Sequence, residues 1–162
     1  MNITKFDEII KCSDDSDVCD KTFLLYSQLN NAIDVNEMKK CEKLISLIWH
    51  SYGILGNGGF YNLLSENFKG DPSFRITANC YREIGVVECY DQFVELFNYF
   101  PNGIVSTDSK LNEKIIKSIG YDALSKIEKR FYSASGKIEK MLCLYIKANK
   151  DVIKDELNYS MS

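Results

Sequence analysis

Residues 86–100 read VVECYDQFVELFNYF. Val86, Tyr90, Phe93, Phe97 and Phe100 recur every three or four positions, with Val87, Val94 and Leu96 alongside. That period lays the apolar side chains along one face of an α-helix and leaves Glu88, Asp91 and Glu95 on its polar side. Pro101-Asn102-Gly103 then ends the helix.

The same period extends outward in both directions. Upstream, Gly70-Asp71-Pro72 reads as a helix start, with Asp71 as cap and Pro72 at the first helical position. Phe74, Ile76, Ala78, Cys80, Tyr81 and Ile84 fill that helix, which stops near Gly85. Earlier, Asp34 with Glu37 three residues on reads as a capping box. It opens a helix through Met38, Cys41, Leu44, Ile45, Ile48, Trp49 and Tyr52. Four glycines between positions 53 and 59 end it, and a short helix over about residues 60–66 follows. Helices are expected over about residues 3–12 and 18–29, the second capped by Asp17 or Ser16. Downstream come a helix over about residues 111–119, a stop at Gly120, and two further apolar stripes. One stripe runs through Leu124, Ile127 and Phe131, the other through Ile138, Met141, Leu142, Tyr145 and Ile146. The sequence shows no strand pattern. The expected class is all-α: one compact bundle of about seven to eight helices over residues 1–153, with a frayed tail over 154–162.

The N-terminal residues carry Asp7 and Glu8 before any apolar run, unlike a secretory leader. No stretch approaches the roughly 18 uncharged apolar residues of a membrane helix. A cytoplasmic protein without a membrane partner is therefore expected. The cysteines at 12, 19, 41, 80, 89 and 143 form no CxxC, and His50 is the only histidine. They read as small buried apolar residues of a reducing compartment. His50 reads as half-buried beside Trp49. Asp14, Asp15, Asp17 and Asp20 lack the central Gly and closing Glu of a calcium loop, so no metal and no cofactor are expected.

The net charge is −3, unevenly spread. Residues 1–100 hold 9 basic and 15 acidic side chains, and residues 101–162 hold 11 and 8. An acidic half repels a duplex, which argues against direct nucleic-acid binding and fits a basic protein partner. Lys126, Lys129, Arg130, Lys137 and Lys140 are interrupted by Glu128 and Glu139 and read as solvent-facing. No nucleophile–base motif, zinc motif or P-loop lysine is present, so no enzyme activity is expected. The candidate recognition residues are Glu88, Asp91 and Glu95, with Asp14, Asp15 and Asp17 as an extension of the same surface.

Asn57-Gly58-Gly59-Phe60, then Asn67, Ile84-Gly85, Phe100-Pro101, Phe131-Tyr132, Leu142, Tyr145-Ile146 and Asn149-Lys150-Asp151 follow one another in a recognisable order. This order resembles a bacterial family of helical proteins typified by DNA mimic protein 19. The resemblance covers about residues 44–153. It implies an all-α fold and an acidic protein, a homodimer in the typifying member, whose carboxylates imitate DNA phosphates and sequester a DNA-binding regulator. Related small acidic proteins act as toxin-neutralising immunity proteins. The motif residues Asn57, Gly58, Gly59, Phe60 and Asn67 read as structural: glycines for the turn, Asn57 as cap of the next helix, Phe60 in the core. The expected function is that of a non-enzymatic inhibitory binding domain of immunity or antitoxin type. Its partner would be a toxin or a basic DNA-binding regulator, met through an acidic helical surface. The alternative is a DNA mimic that sequesters a transcription regulator.

Overall fold

The computed structural model describes residues 2–29, 34–66 and 68–159. Among them are nine α-helices: α1 Asn2–Ile9, α2 Asp15–Leu29, α3 Lys40–Ser65, α4 Arg75–Glu83, α5 Val87–Phe97, α6 Ser109–Ile119, α7 Tyr121–Ser135, α8 Ile138–Ala148 and α9 Lys150–Tyr159. A 3-10 turn, Pro101–Gly103, follows α5. The all-α class is as expected, with one or two helices more than the sequence suggested. Part of that excess is α9, in the region expected to fray from Lys154. Ile153 and Leu157 are fully buried there and Glu156 nearly so. No helix among the described residues is long and apolar enough to cross a membrane.

Helix α3 runs through the middle, packed against α2, α4, α6, α8 and α9. It is not straight. Gly58 and Gly59 leave helical geometry, and Gly59 takes φ +65°, ψ −163°, a region nearly closed to other residues. The halves on either side are the two helices expected from the sequence. Just past the break, Phe60 is fully buried. Its ring meets Phe93 of α5 edge-on at 5.2 Å and Phe131 of α7 at 5.7 Å. Tyr81 of α4 joins them, 5.5 Å from Phe93, with its hydroxyl 2.8 Å from that of Ser51. Four helices therefore converge on one aromatic cluster beneath the glycine break.

Several helix starts differ from expectation because their caps come from elsewhere. Asp34 accepts from the Asn36 N–H at 2.9 Å and closes a turn, while α3 begins later, at Lys40. The carboxylate of Glu156 in α9 accepts the Cys41 and Glu42 N–H groups at 3.0 and 3.1 Å and the Tyr26 hydroxyl at 2.7 Å. Lys39 Nζ donates to the Glu156 carbonyl at 2.6 Å. One carboxylate thus covers two backbone donors at the start of α3. Burial, and then Glu156, push the Tyr26 phenol up from its ordinary value. Asp71 is 2% exposed and caps α4 from a distance, accepting from Ile76 N–H at 3.0 Å and from Thr77 N–H and Oγ1 at 2.7 Å each. Pro72 falls in the preceding turn, since α4 begins at Arg75. Helix α2 starts at Asp15, and Asp14 caps it through Asp17 N–H at 2.9 Å, in place of Asp17 or Ser16.

Candidate functional site

A break in a helix strands one carbonyl before it and one N–H after it. In an unbroken α3 the Phe60 N–H would bond to the Gly56 carbonyl and the Leu55 carbonyl to the Gly59 N–H. Here α7 supplies both partners from one face. Glu128 Oε1 accepts the Phe60 N–H at 2.9 Å, and the Tyr132 hydroxyl donates to the Leu55 carbonyl at 2.6 Å. Glu128 and Tyr132 are four residues apart, one helical turn. A Cβ at Gly59 would run into the Glu128 carboxylate. The motif therefore docks α7 onto α3. Asn57 is exposed, and the cap expected from it is supplied by Glu128 instead. Asn67 lies outside the described residues.

The acidic positions of α5 face α7. Glu95 holds Arg130 in a two-pronged ion pair, with contacts of 2.5 and 2.6 Å, and Glu88 holds Lys137 at 2.6 Å. Arg130 lies in α7 and Lys137 two residues past its end, and the two pairs run in opposite order along the chain, so α5 and α7 lie antiparallel. Lys137 holds the Glu88 carboxyl below its ordinary value. Asp91, between them, is exposed and forms no ion pair among the described residues. Lys126, Lys129, Arg130, Lys137 and Lys140 are exposed as expected, and Arg130 and Lys137 are also the partners of the acidic stripe.

Asp14, Asp15 and Asp17 lie on α2 and its cap, which packs on α1, α3 and α8, whereas α5 packs on α4 and α7. The two acidic groups lie on different helices. Asp17 pairs with Lys21 at 2.7 Å, and Asp15 lies beside the Cys143 thiol. Asp20 accepts the Trp49 indole N–H at 3.0 Å. His50 is exposed, not half-buried, and packs against the Phe68 ring at 5.2 Å.

Two concavities flank the Arg130–Glu95 pair. The larger is an open groove of about 890 Å³ that includes Tyr99, Tyr121, Lys126 and Lys129. Tyr121 is 85% exposed, and Tyr99 and Tyr132 are exposed too. The smaller, about 360 Å³, lies between α5 and α7 and is walled by Glu88, Asp91, Gln92, Arg130, Ser133 and Lys137. Sequence reading missed Gln92, which sits one position past Asp91 and looked like one more polar residue. Tyrosine and arginine gathered on one surface is the composition of a protein-binding patch. Among the described residues, no group of three or more His, Cys, Asp or Glu side chains could hold a metal ion.

A family model described as DMP19-like protein matches residues 36–149, a span that contains the glycine break, α5 and α7. No curated protein and no solved structure matches the chain.

Proposed function

The chain belongs to the DMP19-like protein family, and from that premise we propose that it acts by binding a protein partner, not by transforming a substrate. The observation that carries this reading is the α5–α7 surface. There the exposed rings of Tyr99 and Tyr121 line a groove with the paired Glu95 and Arg130 and with Lys126 and Lys129, and the exposed Asp91 lies in the neighbouring crevice. Rigid aromatic rings bind a partner with little loss of freedom, and pre-paired charges hold their geometry before contact. The partner is a basic protein, and binding blocks its action in the manner of an immunity protein or antitoxin in the cytoplasm.

Family membership supports a second reading, a DNA mimic that occupies a regulator's DNA-binding face. Such a mimic needs a track of uncompensated carboxylates, because a duplex carries one charge per roughly 1.7 Å of its axis. Asp7, Asp17, Asp34, Glu83, Glu88, Glu95 and Glu113 each have a lysine or arginine partner. That pairing favours the first reading.

The test is affinity capture from the native cytosol with the full chain and with Tyr121→Ala and Asp91→Lys. A basic protein retained by the wild type and lost with either variant is the expected outcome. Equal recovery with both variants, or recovery of no basic protein, rejects the reading. Release of the captured protein by duplex DNA selects the mimic reading.

A further inference from the structure

We draw no further inference here: the strongest candidate, the open groove lined by Tyr99 and Tyr121 beside the Arg130–Glu95 pair, belongs to the surface already described, and with Asp122 set against Lys126 and Lys129 in its lining nothing in the structure shows what covers it.

Discussion

The Glu128 carboxylate accepts the Phe60 N–H at 2.9 Å across the break in α3. Glu128→Ala strands that donor and should cost about 1–2 kcal/mol, as loss of a helix cap does. Tyr132→Phe leaves the Leu55 carbonyl without its donor and should cost about 1 kcal/mol. Gly59→Ala forces a side chain into a backbone region that only glycine enters freely, at about 1–3 kcal/mol, and also pushes against Glu128. Part of that cost should vanish in a Glu128→Ala background, where the obstructing carboxylate is gone. Urea unfolding of the four members of this cycle measures the coupling. Equal costs in both backgrounds would show that the carboxylate is not what the new side chain meets.

The α9 segment should prove integral to the fold. Glu156→Ala removes the acceptor of two backbone N–H groups and of the Tyr26 hydroxyl. Hydrogen bonds to a charged group contribute about 1.5–3 kcal/mol each. Ending the chain at Ile153 removes the buried Leu157 as well. Far-ultraviolet circular dichroism and thermal melts should show the truncated chain unfolding well below the wild type. An unchanged melting temperature would mean that α9 is dispensable.

What was legible in the sequence was whatever depends on neighbours three or four positions away. The stripe of α5, the break at Gly58-Gly59 and the burial of Phe60 all follow from local spacing. The caps did not, because Glu128 and Glu156 act on residues far off in the chain, and Asp71 reaches five and six positions ahead. Glu156 falls in the tail expected to fray. Yet Ile153 and Leu157, four apart, were a sign that helix and core continue. Glu88 and Glu95 are seven apart, as are Arg130 and Lys137. That shared spacing foreshadowed two antiparallel helices locked by ion pairs, but only once the helices are known to be neighbours. Gln92 could not be read at all, since the burial of its Oε1 without a hydrogen-bond donor among the described residues is a property of packing.

The Glu88–Lys137 pair gives a site-resolved test of that locking. Lys137 holds the Glu88 carboxyl below its ordinary 4.5. A lowered folded-state value contributes stability that is present above the unfolded value and lost as pH falls through the folded one. Carbon-detected NMR titration should place Glu88 below 4.5, and Lys137→Met should return it towards 4.5. An unmoved midpoint in the variant would remove the ion pair as the cause.

The cysteines should separate cleanly by reactivity. Cys12 is partly exposed, while Cys19, Cys41, Cys80, Cys89 and Cys143 are buried. Burial pushes the Cys80 and Cys89 thiols up to about 12, far from the thiolate that reacts. Iodoacetamide at pH 8 should label Cys12 on the native protein and the other five only after unfolding, as peptide mass spectrometry would register. Native labelling of Cys80 or Cys89 at a rate comparable to Cys12 would contradict the packing of α4 or α5.

Asp71 gives a pH dependence of the opposite sign. Burial raises its carboxyl above the ordinary 3.8, and the hydrogen bonds from Thr77 and Ile76 offset this only in part. A raised folded-state value means that the native protein binds the proton more tightly than the unfolded chain. The contribution of Asp71 is therefore fully present below the unfolded value and is lost as pH rises through the folded one, by about 1.4 kcal/mol for each unit of the difference. Asp71→Asn keeps one acceptor oxygen for the cap and removes the charge. The stability of wild type relative to Asp71→Asn should accordingly fall as pH is raised upward from 3.8. Urea unfolding at closely spaced pH values measures that difference. A difference that grows with pH would mean that the cap hydrogen bonds outweigh burial and that this carboxylate stabilises the fold by being charged.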